Sequence, residues 1–308
     1  MNKLLISISG IIVIGLLLFT YFYERTIPLS PPDWENKINE NTSENEVQPQ
    51  EEELLVVDGK DSIGYSLQND QLQITWNNGE EWVTVPIGKD LLFSGEYNGN
   101  KSELIEGSYI LSENRVAFLY TDEPGMSINL MHSQDEGQTW QNSVVAEQFP
   151  PIRFRKVNFL NEKFGYVILS GDRTMSQEWS TVFLTNDGGV TWKETNHSDV
   201  TRLLAGGGFT DENTGFLSYG ILNPQEPDFY VTQDAGQSWT KANIVIPEEY
   251  HEIFVIAEVP YKEGEQLALL INQGPNGDYQ GGKVKGKFIS QDNGLTWEFS
   301  EEVDPDEQ

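Results

Sequence analysis

Ser133-Gln134-Asp135-Glu136-Gly137-Gln138-Thr139-Trp140 reads as a turn, and the chain repeats it. TNDGGVTW ends at Trp192, TQDAGQSW at Trp239 and SQDNGLTW at Trp297. A worn copy, TWNNGEEW, ends at Trp82 and has Asn77 where the others have Asp. The five tryptophans, at 82, 140, 192, 239 and 297, are spaced by 58, 52, 47 and 58 positions. Each clear copy follows an apolar or alternating run, such as Ile128-Asn129-Leu130-Met131 or Thr181-Val182-Phe183-Leu184. The Asp accepts bonds from N–H groups just downstream, the Gly supplies a positive φ, and the Trp opens the next strand and buries apolar surface. Strand, turn and strand at a period of about 50 residues predict an all-β chain folded as a β-propeller.

A second echo marks the start of each unit. Phe159-Leu160-Asn161-Glu162-Lys163-Phe164-Gly165-Tyr166 matches Phe209-Thr210-Asp211-Glu212-Asn213-Thr214-Gly215-Phe216, with a weaker relative at 111–118. It reads as an inner hairpin, so a blade has four strands with the octapeptide between the third and fourth. Five four-stranded blades are expected, at 54–86, 91–148, 152–200, 201–246 and 253–303, leaving little room for a sixth. The N-terminal strand is expected to close the ring against the last blade, because an open edge invites aggregation. Gly206-Gly207-Gly208 has no following Lys-Ser/Thr, so it reads as close backbone approach near the channel and not as a phosphate loop.

The octapeptides resemble the Asp-box, or bacterial-neuraminidase, repeat of sialidases, sortilin-type receptors and photosystem assembly factors, over about residues 55–303. That resemblance implies that the box residues are structural and lie on the outer side of the blades, away from the ligand face. Asp135, Trp140, Asp187, Trp192, Asp234, Trp239, Asp292 and Trp297 are assigned to holding the turns and their strands on this basis.

The ends have a different composition. Residues 4–22 form an uninterrupted apolar run after Lys3, long enough at 1.5 Å per residue to cross a bilayer core. Tyr21, Phe22 and Tyr23 close it with an aromatic belt, so residues 1–23 read as an uncleaved signal anchor. Positive charge stays inside, which places the C-terminal domain outside the cytoplasm of a single-pass membrane protein. Residues 24–53 are rich in Pro, Asn and Glu and read as a disordered acidic linker to the propeller at 54–303; 304–308 is an acidic tail. A net charge of −30 excludes nucleic acid as a partner and disfavours anionic headgroups. With no cysteine there is no disulfide.

Loops at the end opposite the octapeptides are the expected binding face: 121–126, 171–178, 222–228 and 273–286. Asp172, Arg173, Asp228, Tyr279 and Lys283 are the candidate binding residues there. Sialidase chemistry needs three arginines on a carboxylate, a carboxylic acid and a Tyr–Glu nucleophile. The propeller holds Arg115, Arg153, Arg155, Arg173 and Arg202 and lacks the Phe/Tyr-Arg-Ile-Pro signature. The nearest string, 150–155, reads as an inner strand with Ile152 and Phe154 inward and both arginines outward. His132, His197 and His251 are scattered, the first two exposed beside octapeptides, with no zinc spacing. No catalytic residue, metal or cofactor is expected. The expectation is a non-catalytic binding or assembly module for an envelope protein or glycan; the alternative is a sialidase-type glycoside hydrolase.

Overall fold

The computed structural model describes residues 54–304 except 61, 123–126, 221–223 and 275–276. The expected membrane anchor and acidic linker, and all of the tail but its first residue, lie outside the described residues. Among the described residues no helix is long and apolar enough to cross a membrane.

Alternating apolar residues build five sheets, four of them antiparallel meanders and the fifth a meander with one parallel strand added. The first is β1 (Val57–Lys60), β2 (Ile63–Ser66), β3 (Gln71–Thr75) and β4 (Val83–Gly88). A short helix, α1 (Lys89–Leu92), precedes the second sheet: β5 (Tyr109–Ser112), β6 (Arg115–Thr121), β7 (Ser127–Ser133) and β8 (Gln141–Glu147). The third is β9 (Ile152–Phe159), β10 (Gly165–Thr174), β11 (Gln177–Thr185) and β12 (Lys193–Glu194). The fourth is β13 (Leu203–Phe209), β14 (Gly215–Gly220), β15 (Asp228–Thr232) and β16 (Thr240–Lys241). Then follow β17 (Asn243–Val245), β18 (Phe254–Ala257), β19 (Tyr261–Glu263), β20 (Gln266–Gln273), β21 (Lys285–Ser290) and β22 (Thr296–Val303), all in the fifth sheet.

The fold is a β-propeller, and three expectations about its detail are corrected. The fifth sheet has six strands where four were expected. Its inner strand is broken into β18 and β19, both paired with β20, around Pro260, which has no N–H to give. The sixth strand, β17, leaves the fourth sheet and runs parallel to β22, Ile244 opposite Trp297. The outer edge of the fifth sheet is therefore covered by β17; β1 pairs with β2 of its own sheet. Third, the span assigned to the second blade opens on α1 and reaches its first strand only at Tyr109.

Successive sheets touch through their inner strands, and apolar residues fill the spaces between them. On β6, Val116, Phe118 and Tyr120 face the first sheet while Ala117 and Leu119 face the third. A strand buried on both faces reads as an unbroken apolar run, as this one does. Leu204, Leu217 and Tyr219 join the fourth sheet to Ile168 and Val182 of the third, and Phe216 and Phe229 join it to Phe288 and Trp297 of the fifth. Gly207 and Gly208 on β13 keep this spacing: an added Cβ would stand 2.8 Å from the Phe216 carbonyl oxygen and 2.7 Å from Val259.

Each octapeptide forms the same network. Ser133 Oγ donates to Asp135 Oδ1 at 2.8 Å and accepts from the Gly137 N–H at 2.9 Å; Asp135 then accepts from the N–H and hydroxyl of Thr139 at 2.9 and 2.6 Å. Thr185 and Asp187, Thr232 and Asp234, and Ser290 and Asp292 repeat the hydroxyl–carboxylate bond and the bond from the glycine N–H. Asn77 keeps the N–H bond from Glu81 at 2.9 Å, but position 81 has no hydroxyl to donate. Two consecutive positions have positive φ: Glu136 precedes Gly137, and Ala235 precedes Gly236. Sequence reading anticipated only the glycine.

Two side-chain expectations fail for one reason, contact between sheets. Arg155 is 3% exposed, not outward. It donates to the carbonyls of Leu92 and Ser94, at and just past the end of α1, where helical carbonyls lack intrahelical partners. His132 is also 3% exposed, packed where the second sheet meets the third.

Candidate functional site

An antiparallel meander puts the octapeptide turns and the first-to-second strand turns at one end of every sheet. The second-to-third strand loops and the entries to each inner strand lie at the other. At that second end, a groove of ≈ 1290 Å³ runs along the fourth sheet, lined by Arg202, Tyr219, Glu226, Asp228, His251 and Glu252 among others. A smaller hollow of ≈ 320 Å³ at the fifth sheet shares Pro224, Gln225 and Glu252 with it and is lined further by Gln273, Asp278 and Tyr279.

Asp228 opens β15, and Arg202 lies just before β13. The guanidinium forks onto the carboxylate, Nε to Oδ2 and Nη2 to Oδ1, and Nη2 also donates to the Tyr230 hydroxyl at 3.2 Å. The bonds to Asp228 raise the Arg202 pKa further above its ordinary value. Lys241 pairs with Glu226 at 2.8 Å. Tyr219 bonds to the hydroxyls of Ser180 and Ser198, at 2.8 and 2.6 Å, and burial pushes its phenol up. Glu252 forms the shared wall, with φ at 63°. A non-glycine residue there carries backbone strain, a feature that clusters at functional sites. Among the described residues Glu252 makes no ion pair.

Beside the hollow, Tyr279 donates to Glu302 Oε1 at 2.7 Å and Gln280 to Oε2 at 2.9 Å, which hold that carboxyl below the usual range. The Glu302 carboxylate in turn pushes the Tyr250 phenol up to about 12.

Of the five expected binding residues, the structure brings Asp228 and Tyr279 to these joined hollows and leaves three outside. Asp172 is exposed on the third sheet with φ at 55°, Arg173 pairs with Glu96 at 2.9 Å, and Lys283 is exposed and lines neither hollow. Sequence reading missed Glu252, which no motif marks, and the pairing of Arg202 with Asp228, 26 positions apart.

The sialidase clamp is not assembled among the described residues. Arg153 is forked onto Glu178, Arg155 onto backbone carbonyls, Arg202 onto Asp228 and Arg173 onto Glu96; Arg115 donates to Gly188 and Glu162 carbonyls. No set of three guanidinium forks faces one ligand.

No known protein family matches the chain, and no curated protein matches it. Solved structures do. A GH43 β-xylosidase/α-arabinofuranosidase from a compost microbial metagenome is 9% identical, over 69% of this chain and 78% of that one, with a TM-score of 0.39. An endo-arabinase from Bacteroides thetaiotaomicron is 11% identical over 64% and 80%, at 0.39. A GH74 xyloglucanase from Xanthomonas campestris is 15% identical over 74% of this chain and 34% of its own, at 0.39. The likeness is one of fold. These structures are glycan-degrading enzymes, and on that finding the expected non-catalytic binding or assembly module is withdrawn.

Proposed function

We propose that the chain is a propeller glycoside hydrolase whose active groove lies at the loop end of the fourth and fifth sheets. One observation carries the reading: Asp228 and Glu252, from different elements, line a single groove, and only the first is engaged by a cation. Glycosidic hydrolysis takes two carboxyl groups, one ionised as base or nucleophile and one giving its proton to the leaving oxygen. Asp228, forked by Arg202, fits the ionised role; Glu252, in no ion pair, fits the acid. Tyr279, half-buried in the wall of the smaller hollow, offers aromatic surface for a sugar ring.

The same proposal reads the octapeptides as Asp-box turns and the five sheets as the blades of one ring. It takes residues 1–23 as the anchor that holds the domain outside the cytoplasm, with a glycan as its partner there.

The test is sugar release from xylan, arabinan, galactan, xyloglucan and sialosides by the full-length protein. Release from one of them is expected, falling roughly a thousandfold in Asp228→Asn and in Glu252→Gln with the melting temperature held. No release from any substrate, or release indifferent to both changes, overturns the reading.

A further inference from the structure

We propose that the Glu178–Arg153 pair is a positioning device: it fixes the entry to β13 so that Arg202 presents its fork to Asp228. Its kinetic consequence rests on the hydrolase reading; its structural consequence does not.

The Glu178 side chain has no exposed surface. A carboxylate so buried is costly unless it is paired and its oxygens are hydrogen-bonded. Here both oxygens have donors. Arg153 gives Nε to Oε2 and Nη2 to Oε1, each at 2.5 Å, and the Leu204 N–H reaches Oε1 at 2.6 Å. Arg153 Nη2 also donates to the Leu204 carbonyl at 2.5 Å, so the pair takes both polar groups of that peptide residue. On the other side of Arg202, the Glu178 N–H donates to the Thr201 carbonyl at 2.8 Å, and Gln177 forms an antiparallel bridge with Arg202 itself. The start of β11 thus holds the backbone of residues 201–204 before and after Arg202. From that held backbone the guanidinium reaches Asp228 and Tyr230 on β15.

Cohesion between the sheets does not need this pair. Leu204, Leu217, Ile168 and Val182 already pack there, and apolar replacements of buried ion pairs are often neutral or stabilising. What directional bonds add is a unique register at one backbone segment. That register is what a fork onto Asp228 requires, because a misplacement of about 1 Å costs on the order of a hundredfold in rate.

The experiment follows the Nε–H resonance of Arg202 in the 15N-labelled full-length protein, identified by its loss in Arg202→Lys. In the parent protein it is expected to exchange slowly. In Glu178→Gln it should move to the fast-exchanging position of solvent arginines, while the Arg115 and Arg155 signals stay and report an intact fold. An Arg202 signal that stays protected in folded Glu178→Gln overturns the inference. Should that variant fail to fold, Arg153→Lys, which keeps the charge and loses the fork, is read the same way. On a hydrolysed glycan, Glu178→Gln should lower kcat about 10- to 100-fold with little change in KM. If the parent protein hydrolyses nothing, the hydrolase reading falls and the resonance alone decides the positioning role.

Discussion

The guanidinium carbon of Arg115 lies 3.7 Å from the centroid of the Phe159 ring, so a strand of the second sheet places its cation against the third. The same group donates to the Gly188 carbonyl at 2.8 Å and the Glu162 carbonyl at 2.9 Å, tying down both turns at that end of the third sheet. Arg115→Met removes these bonds and leaves two carbonyls to find water or go without, at an expected cost of about 2–3 kcal/mol. Urea denaturation measures it; a loss below about 0.5 kcal/mol would show that the contact is idle.

His132 shares that joint, and among the described residues neither of its ring nitrogens has a hydrogen-bond partner. Burial, and then the Arg115 charge, push its pKa from 6.5 to about 4. The unfolded chain therefore binds a proton between pH 6.5 and 4 that the folded chain refuses, so stability falls as pH drops through that window and levels off below it. The full effect is about 3 kcal/mol. Stability measured at pH 7 and pH 4.5 should converge in His132→Leu, and a parent protein with equal stability at both contradicts the assignment.

Acid weakens the octapeptides by the same linkage from the opposite cause, since there the folded state favours the charged form. The Thr191 hydroxyl, followed by its N–H, holds the Asp187 carboxyl down at about 2, below its ordinary 3.8. A lowered carboxylate contributes stability above 3.8 that is lost as pH falls through about 2. Asp187→Asn should accordingly be less stable than the parent at pH 7 and equal to it near pH 2. A difference independent of pH would mean the turn does not sense the charge.

The marker tryptophans are not equivalent. Trp297 is wholly buried against Phe216 and Phe229, whereas Trp192 is half-buried and bonds through Nε1 to Ser143 Oγ at 3.1 Å. Trp297→Ala should cost about 3–5 kcal/mol and Trp192→Ala roughly half of that. Chemical denaturation of the two variants side by side decides it; equal losses would place the two rings in equivalent surroundings.

What was legible in the chain is what its physics keeps local. The bonds of the octapeptides span two to four residues, so Asp135 and Gly137 declare their partners within their own eight letters. The loops that carry Asp228 and Tyr279 were readable as breaks between strands. Their company was not: Arg202 meets Asp228, and Arg153 meets Glu178, across 26 and 25 positions of intervening strand. Arg155 and His132 went wrong because alternation predicts which way a side chain points along one sheet. It says nothing of what a neighbouring sheet brings to meet it. Glu252 carried no mark at all, since a strained φ leaves no trace in composition.

The strand β17 has a consequence for how the protein is made. It pairs with β22, about 50 residues further along the chain, so its edge waits unpaired until that strand has left the ribosome. In the earlier sheets every strand pairs with its neighbour in sequence and can do so in order of synthesis. The fifth cannot. A chain stopped short of residue 296 leaves two edges open, those of β17 and β21, and with them a template for other copies to pair on.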